Sequence, residues 1–364
     1  LSDFKATFIL KQHTPIIHFQ SGQSGATLRA TELKPKLDKF LIDMDKNLKT
    51  IKNASGHHSL DYKVKIVAAG TQARDIETLD HRGRPQKDPL FFGTLGGAVD
   101  KKFITAPTVS IEFFSFDKKT IEAIKTHFEG FLAQTNFGTR QSKGYGCFYL
   151  DKPFNKTLIG HRVYSFQSTN WKNDIKLLYS FLRQGINYPN RFYSKPAIFS
   201  YMLSKNITWD KKAIKQHFFP NELKEQQQRH SGDSPVNANT PSSHIARDLF
   251  GLSSDQSWMS YRVTIKKEHS HIERFKSPVT FKIIGNTVYF WADKSVEKIL
   301  NKTFKISTKG NKPLDLSTPK EFSFDEFFEF VKAIDLSKHI NQKFHQTNEF
   351  RDLTRILNGI RISK

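Results

Sequence analysis

The run Phe137-Gly138-Thr139-Arg140-Gln141-Ser142-Lys143-Gly144-Tyr145-Gly146-Cys147-Phe148-Tyr149-Leu150 carries the residues best suited to chemistry in this chain. Three glycines, an arginine and a lysine stand between a helix-like and a strand-like pattern. Glycine takes positive φ easily and has no side chain to hold a ligand away. Backbone N–H groups exposed in this way can cradle an anion, with Arg140 and Lys143 adding charge. The same pattern also describes a tight helix-to-strand turn with two solvated cations. Which reading applies depends on the rest of the chain.

Composition favours an anionic partner. Lys and Arg total 57 against 35 Asp and Glu in 364 residues, a formal net charge of +22. An excess of this size points to a polyanion, most often nucleic acid. Both halves share it. Residues 1–155 hold 23 basic and 16 acidic side chains and residues 156–364 hold 34 and 19, so the net charges are +7 and +15. No long apolar span and no basic helix with a bulky apolar face points to a membrane partner. The single cysteine, Cys147, excludes a disulfide framework and fits a reducing, cytoplasmic setting. Residues 1–20 lack the order of a signal peptide. With 33 Phe the chain can bury substantial cores.

The hydrophobic periodicity supplies a frame for the run. Phe4–Lys11 reads as a strand. Thr31 is the expected N-cap of a helix with Leu33, Leu37, Phe40, Leu41 and Met44 on one face and Pro35 in its first turn. Asp61–Ala69 and Thr108–Phe116 read as strands, separated by a polar excursion over Gly70–Ala106. Asp117 opens a second helix, marked by Ile121, Ile124, Phe128, Phe131 and Leu132. Tyr145–Leu150 is the last strand. The expected class is therefore α+β, and the order β-α-β-β-α-β over residues 1–155 is that of a ferredoxin-like unit with one sheet face open.

Residues 156–364 are expected to form a second, diverged unit. Strands are expected over Arg162–Gln167, Arg262–Lys266, Val279–Ile284, Thr287–Trp291 and Ile356–Ile362, with Gly285-Asn286 as a hairpin turn. Helices are expected over Trp171–Leu182 and Pro196–Leu203. A further helix should follow the capping-box spacing Ser323-Phe324-Asp325-Glu326. Its Phe327, Phe328, Phe330 and Val331 read as core. Asn221–Ser243 is poor in apolar residues and reads as a flexible insertion.

A basic β-α-β-β-α-β unit with Gly138-Thr139-Arg140-Gln141-Ser142-Lys143-Gly144-Tyr145-Gly146 after its second helix resembles the RAMP superfamily of CRISPR-associated proteins. Three further elements strengthen the resemblance: Lys11-Gln12-His13-Thr14-Pro15 after the first strand, Ala30-Thr31-Glu32-Leu33-Lys34-Pro35-Lys36-Leu37 at the helix entrance, and Arg247-Asp248-Leu249-Phe250-Gly251. Size, Thr-Pro start and loop together resemble the family of the first subunit of Cmr-type (type III-B) effector complexes. Family members usually carry a Gly-rich stretch just after Thr-Pro, where Ile16-Ile17-His18-Phe19-Gln20 stands here.

The resemblance implies a crRNA-guided ribonucleoprotein subunit with a role in antiviral defence. It would hold the crRNA 3′ region, touch target RNA, sit beside other RAMP subunits and leave cleavage to them. The expected RNA-binding residues are Gly138, Arg140, Lys143, Gly144 and Gly146 of the loop. Lys34 and Lys36 join them at the helix entrance, where the dipole favours an anion. Arg74, Arg82 and Arg84, with Lys87, lie in the excursion, which reads equally as a solvated hairpin or as an arm that closes on RNA.

Other constellations compete less well. Lys143-Gly144-Tyr145-Gly146 begins like an RRM ribonucleoprotein motif, but Cys147 stands where that motif needs an aromatic. Some RAMP relatives process CRISPR transcripts without metal, using a His general base. His13, His18, His57 and His58 would be the candidates for such an endoribonuclease, the alternative function. Asp43 and Asp45 are the candidates for a Mg²⁺-dependent nuclease. Neither set has a partner in sequence, so no cofactor, metal or catalytic residue is expected.

Overall fold

A computed structural model describes residues 2–18, 27–52, 56–79, 85–87, 102–222, 242–258 and 261–363. The chain is α+β and divides into two compact units. The first comprises Leu1–Ile175, Thr280–Trp291 and Gly359–Lys364, and the second Lys176–Val279 and Ala292–Asn358. Neither unit is one continuous segment, whereas the sequence suggested a single division near residue 155.

The first sheet contains β1 (Lys5–Gln12), β2 (Lys63–Ala69), β3 (Thr108–Phe114) and β4 (Phe148–Leu150) in the spatial order β4-β1-β3-β2. All neighbours are antiparallel. Helices α1 (Ala30–Met44) and α2 (Lys118–Gln134) complete the order β-α-β-β-α-β, the sequence and strand order of a ferredoxin-like unit. Side chains alternate across a strand. Ala6 and Leu10 of β1, with Val109, Ile111 and Phe113 of β3, turn inward. There they join Leu33, Leu37 and Leu41 of α1 and Ile121, Ile124, Phe128, Phe131 and Leu132 of α2 in one core.

Local chemistry sets the helix ends. The Asp117 carboxylate accepts the Lys119 N–H at 3.1 Å and caps α2. Helix α1 begins earlier than its Thr suggests: Glu32 and Leu33 N–H already donate to Arg29 O at 3.1 and 2.9 Å. Thr31 therefore lies inside the first turn, and Pro35 follows beyond it. Between β2 and β3 the excursion forms antiparallel ribbons, with Gln72–Asp75 paired to Lys102–Thr105 and Glu77–Leu79 paired to Pro85–Lys87.

A second four-stranded sheet in the first unit takes strands from distant parts of the chain. It contains β5 (Tyr164–Gln167), β6 (Val279–Ile284), β7 (Thr287–Ala292) and β8 (Arg361–Ile362), in the order β6-β7-β5-β8. The chain also forms α3 (Trp171–Arg183) and α4 (Asn348–Gly359), most of whose residues belong to the second unit. Gly285, at φ 58°, lies in the short turn joining β6 to β7. Ile356–Gly359 is helical, not strand, because Leu353, Ile356 and Leu357 form one buried helical stripe.

The second unit carries a sheet of strands 255–258, 263–268, 303–307 and 314–317. Its helix Phe324–Lys332 is capped by Ser323 and buries Phe324, Phe327, Phe328 and Val331, whereas Phe330, also expected in the core, is only half-buried. Of the expected flexible insertion, residues 223–241 lie outside the described residues.

Candidate nucleic-acid interface

The Gly-rich loop joins α2 to β4, and its glycines do take positive φ: 79° at Gly138, 84° at Gly144 and 65° at Gly146. Their missing side chains face protein, however, and not an open cleft. A Cβ on Gly138 would lie 2.6 Å from Ile17 O, one on Gly144 2.2 Å from Ile283 Cδ1, and one on Gly146 1.9 Å from Phe137 O. The space that each missing side chain leaves is taken by the chain itself. Each lets the chain approach itself. The loop N–H groups are engaged in the same way. Thr139 donates to Ile17 O, Gly146 to Pro15 O, Lys143 to Arg140 O and Gly144 to Gln141 O, all at 2.7–3.3 Å.

The helix-entrance residues close this arrangement. Glu32 Oε1 accepts the Gly138 N–H at 2.7 Å, so a carboxylate of the chain occupies the position proposed for a phosphate. Lys36 Nζ binds Glu32 Oε1, Asn136 O and Gln141 Oε1 at 2.7, 3.1 and 2.9 Å. Lys34 Nζ binds Leu60 O at 2.6 Å and Asp38 at 3.1 Å, and stands 3.8 Å from the centroid of the Tyr62 ring. Both ammonium groups thus hold α1 against its surroundings. Thr14 completes the closure, since its Oγ1 accepts the Cys147 N–H at 2.9 Å. Thr-Pro start, helix entrance and loop, far apart in sequence, meet at one place.

Strand β6 supports the loop from the other side. Phe281 N donates to Ser142 O at 3.1 Å, and Asn136 Nδ2 donates to Phe281 O at 2.8 Å. Lys282 is fully buried. Its Nζ donates to Thr135 O, Asn136 Oδ1 and Phe148 O at 3.1, 3.1 and 3.3 Å. Burial pushes its pKa down to about 8 and raises that of the Cys147 thiol beside it. Sequence reading missed Lys282, because nothing in an apolar strand segment marks a lysine that turns inward.

Cations do gather at the outer side of the loop. Arg140 is half-buried at φ 61°, a backbone region that residues with side chains rarely adopt. Burial lowers the pKa of its guanidinium, while the Tyr145 hydroxyl acts against that shift. The Tyr145 ring stacks on Phe103 at 5.6 Å and meets Trp171 edge-on at 5.2 Å. Over these rings stand Lys172 Nζ, 4.5 Å from the Phe103 centroid, and the Arg74 guanidinium, 5.2 Å from it. Lys143 is buried within the loop. Lys172, at the start of α3, was missed by sequence reading; its Trp-Lys neighbourhood was the only signal. Arg82 and Arg84 lie outside the described residues, and nothing is described of the Lys87 side chain.

The catalytic alternatives gain no geometry. Burial, with the charges of Lys282 and Lys11, pushes the pKa of His13 down to about 4, and its Nδ1 accepts the Gly285 N–H at 3.3 Å. His18 is buried, with Nε2 2.5 Å from Thr27 O. His57 is exposed, and the exposed His58 pairs with Thr50 Oγ1 at 2.9 Å. Asp43 forms an exposed ion pair with Lys46 at 2.9 Å. Among the described residues no group of three or more His, Cys, Asp or Glu could hold a metal ion.

In the second unit, Arg247–Gly251 anchors structure. Asp248 is buried against Lys267, which also meets Asp210 at 3.0 Å. Phe250 O accepts the Tyr179 hydroxyl at 3.1 Å, and Gly251 O accepts Arg183 Nη2 at 2.9 Å.

Comparison with known families agrees with this convergence of motifs. The model of the Cmr1 N-terminal domain matches residues 3–195, and that of the Cmr1 C-terminal domain matches residues 193–360. No curated protein matches the chain. Among the described residues no helix is long and apolar enough to cross a membrane. The two matches cover nearly the whole chain, which therefore belongs to the Cmr1 family, the RAMP subunits of type III-B CRISPR effector complexes.

Proposed function

We propose that this chain binds RNA without cutting it, holding the crRNA 3′ region and contacting target RNA beside the other RAMP subunits of its complex. The observation that carries this reading is Arg140. It is a half-buried arginine at φ 61° whose charge feels Tyr145, and the Tyr145 ring in turn stacks on the Phe103 ring over which Lys172 and Arg74 sit. Strained residues of this kind concentrate at binding sites, since the surrounding structure must hold them in place. The RNA-facing set is then Arg140, Lys172 and Arg74, with the buried Lys143 adding charge from within the loop and Arg82 and Arg84 as candidates on the same excursion. Gly138, Gly144, Gly146, Lys34 and Lys36 shape the loop that presents Arg140. Phosphates would be held by charge and by charge-assisted hydrogen bonds, with little dependence on base sequence.

Filter binding of labelled crRNA to the full chain over about 50–200 mM salt tests the reading. Each phosphate contact on a single strand contributes about 0.7 to the slope of log K against log salt. Arg140→Ala and Lys172→Ala should each lower that slope by about this amount. A slope unchanged in both variants would refute the site. Site-specific cutting by the purified chain, lost in a single His→Ala or Asp→Ala variant, would refute the non-catalytic assignment.

A further inference from the structure

The face of the first sheet turned away from α1 and α2 has a composition that the Gly-rich loop does not explain. Alternation places Lys5, Thr7, Ile9 and Lys11 of β1 on this face, with Thr108, Ser110, Glu112 and Phe114 of β3 and Lys63, Lys65, Val67 and Ala69 of β2. Its lysines are exposed, and among these residues Glu112 is the single carboxylate, already engaged by Lys5 at 3.5 Å. Two apolar side chains lie open on it, Ile9 and Val67 at 46% and 52% exposure.

One row across the three strands stands out. Phe114 is directly opposite Lys5 on one side and Lys63 on the other. Phe116, two residues on, is 86% exposed, and its ring meets Phe114 edge-on at 5.0 Å. Fully exposed phenylalanine is costly to keep in water unless something covers it. The order is cation, aromatic, cation, with a second ring projecting beside it.

We propose that this face is a second RNA-binding surface, which stacks bases of a single strand on Phe116 and Phe114 and pairs phosphates with Lys5, Lys63, Lys65 and Lys11. Single-stranded nucleic acid is the polymer that offers flat π-faces and regularly spaced anions together, and aromatic side chains in a basic groove are the usual means of holding it. A protein partner would cover Ile9, Val67 and the two rings, but would leave four lysines facing one neutralised carboxylate unless it were strongly acidic. The surface is separate from the loop site and does not depend on it.

The test uses the full chain and a 20-nucleotide oligouridylate carrying 4-thiouridine. Photocrosslinking should label the peptide containing Phe114 and Phe116, and the fraction of bound RNA linked there should rise in Lys172→Ala, which weakens the competing loop site. Phe116→Ala, at an exposed position, should weaken binding about fivefold or more at constant melting temperature, as loss of one base stack implies. Lys63→Ala with Lys65→Ala should lower the salt slope by about 1.4. Absence of the crosslink, with affinity unchanged in both variants, would overturn the proposal. Loss of association with an acidic protein, at unchanged RNA affinity, would overturn it equally and assign the face to that partner.

Discussion

The carboxylate of Glu32 accepts the N–H of Gly138 at 2.7 Å while its Oε1 also binds the Lys36 ammonium at 2.7 Å. The first two turns of α1 thereby supply an anion to the loop N–H and a cation to balance it. The loop is thereby tied to α1 through groups of the chain itself, and Arg140, half-buried at φ 61°, is the residue on which the proposed RNA contact rests.

Substitution at the loop glycines should cost stability before it costs binding. At Gly146, φ is 65° and a Cβ would stand 1.9 Å from Phe137 O, a contact with backbone that cannot yield. Gly146→Ala should lower the melting temperature by several degrees or prevent folding, since backbone strain alone costs on the order of 1–3 kcal/mol. Gly160→Ala is the control, because nothing lies within 4 Å of a Cβ there. Differential scanning calorimetry of the two variants compares them, and a folded, unaltered Gly146→Ala protein would return the glycine to a ligand-binding role.

His13 should make the first unit sensitive to acid. Its folded pKa, about 4, lies below the unfolded value near 6.5, so the unfolded chain binds the proton more tightly between these limits. Stability from this group is complete above about pH 6.5 and declines as pH falls toward 4. His13→Gln, which keeps an acceptor for the Gly285 N–H, should show a shallower loss of melting temperature from pH 7 to 4.5 than the parent.

Lys282 should act in the alkaline range. Burial holds its folded pKa at about 8, below the unfolded value near 10.4. Between these limits the unfolded chain again binds more protons, so stability rises with pH, by on the order of 3 kcal/mol in total. Lys282→Met removes the titrating group. Urea unfolding at pH 7.5 and pH 10 should show the parent gaining on the variant, and parallel behaviour would mean that Lys282 is not charged and buried as described.

The buried Lys267 of the second unit should tolerate no one-sided change. It is paired with Asp210 at 3.0 Å and Asp248 at 2.5 Å, and none of the three side chains is more than slightly exposed. Lys267→Met would leave two buried carboxylates without their hydrogen-bonded ammonium, with only the charge of Arg247 near them, a loss of about 3–5 kcal/mol. Chemical denaturation followed by Trp fluorescence measures it, and a change below about 1 kcal/mol would show that water reaches the group.

Much of the first sheet could be read from residue order alone. Alternation in Lys5–Gln12 and Thr108–Phe114, and helical spacing in α1 and α2, are local signals that determine which residues face the core. The capping of α2 by Asp117 and of the Phe324–Lys332 helix by Ser323 is local too. Glycine at 138, 144 and 146 permits the positive φ found there, but residue type alone does not fix it, since Gly130 and Gly160 do not adopt it.

What those glycines and lysines touch was decided by tertiary structure. Gly144 is required by Ile283, and Lys36 is engaged by Gln141, partners 139 and 105 positions away. The second sheet pairs Tyr164 with Phe290 and with Ile362, so its register depends on segments brought together only when the intervening chain folds. Local periodicity shows that a segment is a strand, and long-range burial determines which strand lies beside it. For the same reason Arg140 and Lys36, both cations of a basic chain, end differently. Packing consumes the hydrogen-bonding capacity of Lys36 inside the fold and holds Arg140 at a strained backbone angle beside Tyr145.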